Sequence, residues 1–337
     1  MRIIPFLLPP LLLAACEAGG GTEETPATGR EEFGPTAAYD RRLVFLGPGA
    51  ELPTAAVFDF AVLSDSATLR RGIRVRLVDG VEWIPLMDAG WEMERMREPW
   101  RLLPHGDLKV IVGSAGELDA LVLAGEELRV RLDPGSSIAE YSPDAGTQLV
   151  LRQAELRLGG EPIAGILLDA QLGRAVNPSA IPPATTEASG EEGGQAEEPG
   201  EDAEGDYSLV VDPAPAARAG AEALLLDNAG YYVVFAASAE GDIAWVHAAG
   251  RDDIRRAARL EPLEWEPFEE AGVQVPIAWR VRSPGDLLGG ELRSEAADRA
   301  VLGEGAGIGA MGYVVVTGWI EDRGVRRNVY GLVRHVR

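Results

Sequence analysis

The sequence predicts an all-β protein made of two antiparallel β-barrels or sandwiches, which a disordered acidic linker joins. Residues 73–77 and 128–132 alternate apolar and charged side chains with a period of two, which is typical of an antiparallel strand with one solvent-facing side. Similar short runs recur along the chain, and turns rich in Gly, Pro and Asp separate them at intervals of about 8 to 12 residues. One stretch without apolar periodicity, 178–206, divides these runs into two sets.

The N-terminus has the features of a bacterial lipoprotein signal. Arg2 precedes an apolar run at 3–13 that is too short to span a bilayer as a helix, and small residues lead up to Cys16. This Leu-Ala-Ala-Cys ending resembles the lipobox, in which the cysteine is lipidated and becomes the mature N-terminus. The alternative is an ordinary signal peptide with an incidental cysteine. We therefore predict a signal peptide at 1–15, lipidation of Cys16 and a flexible tether at 16–38.

These features predict a protein of the cell envelope that a lipid attaches to the membrane. Inner-membrane retention signals of such lipoproteins carry Asp after the cysteine, whereas this chain has Glu17. We therefore expect attachment to the outer membrane, facing the periplasm, in a cell that has one.

Composition and charge exclude several functions. Cys16 is the only cysteine, so the chain has neither an internal disulfide nor a Cys-based metal site. The formal charge of −23 and the lack of a basic stripe with interleaved aromatic residues argue against a nucleic-acid partner. Nine of the acidic residues fall at 187–206, without the fixed spacing about a turning glycine that calcium loops need. We interpret 178–206 as a solvated linker.

The first folded domain is predicted at 39–177. Its strands are expected at 57–63, 73–77, 108–112, 118–123, 128–132 and 148–158, where β-branched and other apolar residues recur. Helical periodicity is scarce, and residues 89–97 are compatible with two helical turns.

The second folded domain is predicted at 207–337. Residues 223–235 have the pattern of a strand, a tight turn and a second strand. Further strands are expected at 243–248, 254–260, 275–281, 313–316 and 328–336. The alternating glycines at 303–309 precede a strand, whereas a phosphate-binding loop must open a helix. We interpret these glycines as a hairpin connection.

Two parts of the chain resemble the two-lipocalin AttH-like proteins, a family that includes the carotenoid 1,2-hydratases. The C-terminal part contains Trp265, then Val-Pro-Ile-Ala-Trp-Arg-Val around Trp279, then Gly-Tyr-Val-Val-Val-Thr-Gly-Trp ending at Trp319, similar to the family's "W…yPlgWrv…GyvElTGy" pattern. Residues 154–173 are similar to its "g.l.l.G..ypvsG.aWlDhewG" segment. The resemblance covers about 148–173 and 224–319 and implies two lipocalin-like barrels.

The resemblance to hydratases also implies acid–base addition of water to an isolated alkene. Such a reaction needs a carboxylic acid with a raised pKa in an apolar pocket, and an aromatic wall that stabilises a carbocation. Asp169 matches the Asp of the family's segment, but Val315 replaces the Glu of its C-terminal signature. Most other polar or aromatic members are also replaced, at Leu167, Ala170, Gln171 and Leu172.

A catalytic interpretation would use Asp169 together with His247 and Tyr313. The structural interpretation makes Asp169 a turn or cap residue at a strand end. It makes His247 a satisfied or surface imidazole, and His335 is expected to point to solvent from the last strand. No pair of histidines has the spacing of metal ligands, so we expect neither a metal nor another cofactor.

Four tryptophans, Trp245, Trp265, Trp279 and Trp319, either line a ligand cavity or fill two barrel cores. Our hypothesis is a membrane-anchored lipoprotein that binds an apolar molecule, an isoprenoid or a lipid, in a lipocalin-like barrel without catalysis. The first alternative is a hydratase, lyase or hydrolase that acts on an isoprenoid-like substrate by acid–base catalysis. The second is a structural envelope protein whose barrels are filled and bind nothing.

Overall fold

The computed structural model describes residues 37–49, 52–64, 68–114, 117–125, 128–175, 220–238, 241–302 and 309–336. The predicted signal peptide, the lipidation site Cys16, the tether up to residue 36 and the acidic linker lie outside the described residues. Within the described ranges, no helix has the length and apolar character needed to cross a membrane.

The first half of the chain forms one nine-stranded antiparallel sheet. Its strands are β1 (Ala37–Gly47), β2 (Thr54–Ser64), β3 (Thr68–Asp79), β4 (Glu82–Glu94), β5 (Leu108–Val112), β6 (Leu118–Ala124), β7 (Arg129–Asp144), β8 (Thr147–Leu158) and β9 (Glu161–Ala175).

The second half forms a second nine-stranded antiparallel sheet. Its strands are β10 (Gly220–Leu226), β11 (Tyr231–Ser238), β12 (Gly241–Ala248), β13 (Arg251–Arg256), β14 (Arg259–Phe268), β15 (Val273–Arg282), β16 (Leu288–Leu302), β17 (Gly309–Asp322) and β18 (Val325–Val336). Two single 3-10 turns, Glu269–Ala271 and Pro284–Asp286, follow β14 and β15.

Both sheets have the same topology. The strand order is β4-β3-β2-β1-β9-β8-β7-β6-β5 in the first sheet and β13-β12-β11-β10-β18-β17-β16-β15-β14 in the second. In each, the first strand pairs with the last and thereby joins two meanders. Leu77, on a strand near one edge of the first sheet, shares a core cluster with Leu108 on the opposite edge strand. The sheet therefore curls around its core as an incompletely closed barrel.

The predicted all-β class with two antiparallel units is confirmed, as are the predicted strands around Trp279 and Tyr313. The glycine-rich segment connects β16 to β17, because Leu302 and Gly309 pair as neighbours in one ladder. The two helical turns expected at 89–97 are wrong. Residues up to Glu94 belong to β4, where pairing with β3 overrides the weak local helical preference.

Three large apolar cores and two smaller clusters stabilise the described part of the chain. The first sheet encloses Phe45 and Phe58, and the second encloses Phe235 and Trp279. A third core lies between the two sheets and combines side chains from both halves: Val44, Leu46, Val57, Leu149, Leu168, Leu224, Val234, Trp245, Val315 and Leu332. The central strands are therefore buried on both faces, and every residue of β2 is buried. This interface places residues far apart in sequence next to each other.

Candidate functional site

A row of charged residues crosses the face of the first sheet that packs against the second. Register pairs align them on neighbouring strands with alternating sign: Arg42 on β1, Asp59 on β2, Arg74 on β3 and Asp88 on β4. Arg76 lies two residues after Arg74 on β3 and therefore on the same face, since alternate residues of a strand share a face. The side chain of Arg76 is only 9% exposed. The prediction that the charged side of 73–77 faces solvent is therefore wrong, because the second sheet covers that side.

The second sheet presents a matching row to this interface. Its members are neighbours in register across four adjacent strands: Asp298 on β16, Tyr313 on β17, Arg334 on β18 and Glu222 on β10. We call the two rows together with Arg76 the charged interface cluster. It combines four arginines with four carboxylates and one phenol, so its formal charges balance.

Three contacts join the two rows across the interface. The guanidinium of Arg42 lies 2.5 Å from the Oε2 atom of Glu222, and Nε of Arg76 donates to Asp298 Oδ2 at 3.1 Å. The phenol of Tyr313 donates a hydrogen bond to Oδ2 of Asp59. Each contact pairs a side chain of the first half with one of the second. The cluster therefore links the two sheets and pairs the charges buried between them.

The electrostatics of the cluster keep its central carboxylates ionised. Burial alone raises the pKa of the Asp59 carboxyl, but Arg42, Arg334 and the hydrogen bond from Tyr313 lower the pKa more, and it falls below its usual value. Burial likewise raises the pKa of Glu222, and Arg42 and Arg334 outweigh it, so that this pKa is also lowered. Neither group is a neutral acid at neutral pH.

Tyr313 is the proton donor in its hydrogen bond with Asp59. Its side chain is almost completely buried, and burial followed by the negative charge of Asp59 raises the pKa of the phenol above its usual value. A phenol with a raised pKa keeps its proton and donates a stable hydrogen bond. The arrangement favours a fixed hydrogen bond between the sheets over proton transfer.

A small cavity adjoins the cluster. It has a volume of about 30 Å³, with Arg42, Glu222 and Arg334 at one side and apolar residues such as Leu149 and Val234 at the other. A space of this size accommodates one or two water molecules and is too small for an isoprenoid or a lipid.

A much larger cleft opens between the two sheets, and we call it the intersheet cleft. Its volume is about 1150 Å³. One side is the face of the first sheet opposite its core, where a charged ladder contains Arg131, Asp133, Glu155 and Arg157. Arg131 contacts Asp133 at 2.7 Å, and Arg157 contacts Glu155 at 2.5 Å. This volume lies slightly above the roughly 300–1,000 Å³ of typical small-molecule sites.

The other side of the intersheet cleft comes from the β10–β11 hairpin and from β18. It carries Tyr232 and Tyr330, and Leu46, Ile166 and Leu226 extend the apolar surface between the two sides. The local sequence fixes this hairpin: backbone N–H groups of Ala229 and Tyr231 donate to Asp227 at 2.7 and 2.9 Å, and Gly230 has a φ of 80°. Asp227 and Asn228 of the hairpin also line the cleft, which thus combines charged, polar, apolar and aromatic surface.

The three predicted catalytic residues do not form one site. Asp169 lies within β9 on the core side of the first sheet, 2% exposed, and accepts two hydrogen bonds from Arg41 at 2.9 and 2.6 Å. The expectation of a turn or cap residue is wrong, because register pairing places Asp169 opposite Leu43 in the middle of a ladder. Tyr313 lies in the charged interface cluster, on a different sheet and facing a different core.

His247 lies on β12, with β18, β10 and β11 between its strand and that of Tyr313. Its Nδ1 atom is 2.8 Å from Asp252 Oδ1, which also accepts from Nε1 of Trp245 at 2.9 Å. The imidazole stacks against Tyr232, whose side chain lines the intersheet cleft. His247 is thus hydrogen-bonded to Asp252, and Tyr232 lies between its ring and the cleft.

The four tryptophans lie in four environments, and none of them lines the intersheet cleft or the small cavity beside the cluster, as far as the described residues define these spaces. Trp279 is in the core of the second sheet, and Trp245 is in the core between the sheets. Trp265 is 45% exposed on β14. Trp319 is half-buried under the guanidinium of Arg326, which lies 4.1 Å from its ring centre.

The expectation that His335 points to solvent is wrong. His335 is 3% exposed, and the centre of its ring lies 6.4 Å from the centre of the Trp279 ring. Within the described ranges, no group of three or more His, Cys, Asp or Glu side chains is arranged to bind a metal ion.

Sequence reasoning missed most of the charged interface cluster and the intersheet cleft. The available signal was Asp59, a single charged residue in the largely apolar β2, together with the charged residues on the neighbouring strands β1 and β3. A charged residue in such a strand needs a buried partner. The sequence gives no indication of which distant strand supplies that partner.

No protein-family model and no curated protein matches the chain. Among solved structures, one from Nitrosomonas europaea that is provisionally assigned as AttH is 13% identical, and the match covers 98% of this chain and 100% of that chain with a TM-score of 0.55. Kievitone hydratase from Nectria haematococca is 14% identical, with 92% and 90% covered and a TM-score of 0.48. The first similarity shows that this chain has the fold that the AttH-like resemblance predicted.

Proposed function

We propose that the chain is a lipid-anchored member of the AttH-like family that binds an isoprenoid or lipid in the intersheet cleft without catalysing a reaction. The single observation that supports this proposal most strongly is the cleft itself. Its volume of about 1150 Å³ is sufficient for a molecule of this class. Leu46, Ile166, Leu226 and the two tyrosines offer an apolar and aromatic surface to the body of the ligand.

The charged ladder at the other side of the cleft suits a ligand with a polar end. The side chains of Arg131 and Arg157 are 42% and 47% exposed, so a hydroxyl, carboxylate or phosphate group can reach them from the cleft. Asp133 and Glu155 accept from such donors and from a ligand hydroxyl. We therefore propose an amphipathic ligand, of which isoprenoid alcohols and fatty acids are the simplest examples.

The cleft replaces the barrel interior as the proposed binding place. The sequence hypothesis put the ligand inside a barrel, but Phe45 and Phe58 fill the core of the first sheet, and Phe235 and Trp279 fill that of the second. All four side chains are almost completely buried. These side chains occupy the interiors in which a lipocalin-like barrel would hold its ligand.

The charged interface cluster supports binding without catalysis. Protonation of an isolated alkene needs a neutral carboxylic acid, whereas the pKa values of Asp59 and Glu222 are both lowered. The Tyr313 phenol, whose pKa is raised, is a weak acid and already donates to Asp59. Asp169 has both carboxylate oxygens engaged by Arg41.

Binding is tested by equilibrium titration of the full chain, purified in detergent, with a radiolabelled isoprenoid alcohol. Ile166 lies half-buried on β9 within the cleft, and Ile166→Arg introduces a charge into its apolar surface. We expect this variant to bind at least about tenfold more weakly, which corresponds to about 1.4 kcal/mol. Val325→Arg is the matched control, because Val325 is 53% exposed at the start of β18 and is not among the residues that line the cleft. Equal affinities of both variants and the wild type would exclude the cleft, and absence of binding by the wild type would favour the structural alternative.

Catalysis is tested in the same preparation. The hydratase alternative predicts addition of water to the isoprenoid alkene by the wild type and its loss in Tyr313→Phe or Asp169→Asn. We expect no hydrated product from any of the three proteins. Product formation by the wild type, measured by mass spectrometry, would contradict the proposal of binding alone.

A further inference from the structure

A second feature of the first sheet is independent of the intersheet cleft. Arg71 lies on β3, is 4% exposed, and packs beneath the segment that follows β4. Its guanidinium donates to the carbonyl oxygens of Arg101 at 2.9 Å and Pro99 at 2.8 Å, and to the sulfur of Met96 at 3.3 Å. These three acceptors are all uncharged.

The positive charge of Arg71 therefore has no carboxylate partner within the described part of the chain. Burial lowers the pKa of Arg71 to about 10, and no neighbouring carboxylate offsets this effect. Its Nε atom is buried and has no hydrogen-bond partner. A buried charge without a counterion is costly, and so is a buried N–H without an acceptor.

A small cavity lies beside this guanidinium. Its volume is about 20 Å³, and Arg71, Arg41, Gln171, Tyr39, Trp91 and Trp100 contribute to its lining. Arg41 adds no net charge, because it is paired with Asp169 at 2.6 Å. Asp40 also lines the cavity from β1, but its charge acts on Arg42, which lies on the opposite face of that strand from Arg41. Arg101 also lines the cavity, but it is exposed, and its carbonyl oxygen accepts from Arg71. The site thus carries one buried positive charge without a counterion, that of Arg71.

We propose that this cavity, the Arg71 cavity, binds a monovalent halide ion. The free Nε–H of Arg71 supplies a charge-assisted donor, and the amide of Gln171 supplies a second donor. The aromatic rings of Trp91 and Trp100 shield the ion from solvent. The centre of a water-sized particle can move through about 20 Å³ of this cavity, so it has room for one monatomic ion slightly larger than a water molecule.

Thermal unfolding of the full chain in detergent tests this site, with bromide as the probe. The melting temperature is measured by circular dichroism in sodium bromide and in sodium gluconate at equal ionic strength, so that general charge screening is the same. We expect a saturable rise of about 4 °C in bromide at ten times the dissociation constant. A gluconate ion is too large for the cavity and should give no saturable rise.

Substitutions test whether the rise of the melting temperature in bromide comes from the Arg71 cavity. Arg71→Met should abolish the bromide-specific rise, and Arg71→Lys, which retains the charge but lacks the Nε donor, should weaken it. Arg97→Met is the matched control, because Arg97 is exposed in the same segment, and its rise should equal that of the wild type. A rise that persists undiminished in Arg71→Met would overturn the proposal.

The wild type alone also decides the question if Arg71→Met does not fold. Identical melting curves of the wild type in bromide and gluconate would overturn the proposal without any variant. A saturable bromide effect that is lost or weakened in Arg71→Lys and retained in Arg97→Met would support it.

Discussion

Arg42 joins the two sheets through a buried ion pair. It lies 2.5 Å from Glu222 in the second sheet and 3.8 Å from Asp59 in its own, and it is 6% exposed. Replacement by methionine keeps the apolar stem but removes the charge that both carboxylates face. We expect Arg42→Met to lower the free energy of unfolding by about 3–5 kcal/mol, because it leaves buried charge uncompensated.

Two further variants separate the lost charge from lost packing. Arg293→Met removes an arginine whose side chain is 69% exposed and pairs with Glu264 at 2.9 Å, and this exposed pair should contribute at most about 1 kcal/mol. Adding Glu222→Gln to Arg42→Met removes one carboxylate and so restores the charge balance of the cluster. The double variant should therefore recover part of the lost stability, and the two substitutions should be non-additive.

Urea denaturation at pH 7, followed by circular dichroism, measures these free energies. The explanation of the charged interface cluster requires that Arg42→Met be clearly more destabilising than Arg293→Met. A loss below about 1 kcal/mol in Arg42→Met, or no recovery in the double variant, would refute the view that buried charge couples the two sheets.

Three further predictions concern other parts of the chain. Burial, with Arg299 and Arg334 nearby, lowers the pKa of His335 to about 4. In the unfolded chain the pKa of this histidine is about 6.5, so between pH 6.5 and 4 the unfolded chain binds a proton that the folded chain does not. The free energy of unfolding should therefore fall by about 3 kcal/mol as the pH drops from about 6.5 to 4. In urea denaturation at both pH values, His335→Phe should lose less of this free energy than the wild type. Trp279→Ala should cost about 3–5 kcal/mol in the same assay, whereas Trp265→Ala should cost less than about 1 kcal/mol, because only Trp279 lies in a core. Cys16→Ser should move the protein from the membrane to the soluble fraction of lysed cells, and unchanged fractionation would contradict lipidation.

The strands were predictable because their pattern is local. Alternation in 128–132 correctly predicted a strand, with Arg129 exposed. The same alternation in 73–77 correctly predicted β3 but gave the wrong environment for Arg74 and Arg76. A period of two distinguishes two faces, and only the packing of another sheet decides whether the charged face meets water.

The candidate sites were less predictable than the fold. Tyr313 was singled out from the sequence and lies in the charged interface cluster, but its partner Asp59 is 254 positions away in the chain. Asp169 was singled out by resemblance, whereas its partner Arg41 depends on the pairing of β1 with β9. The intersheet cleft requires two sheets in a defined orientation, which no local pattern of residues specifies.

A crystal structure of the full chain in complex with an isoprenoid alcohol tests the proposed function most directly. We predict electron density for the ligand in the intersheet cleft, with its apolar body against Ile166 and Tyr232 and its hydroxyl near Arg131 or Arg157. Density for the ligand in the core of either sheet, beside Phe58 or Trp279, would contradict the proposed binding site. So would an empty cleft at a ligand concentration that saturates binding in solution.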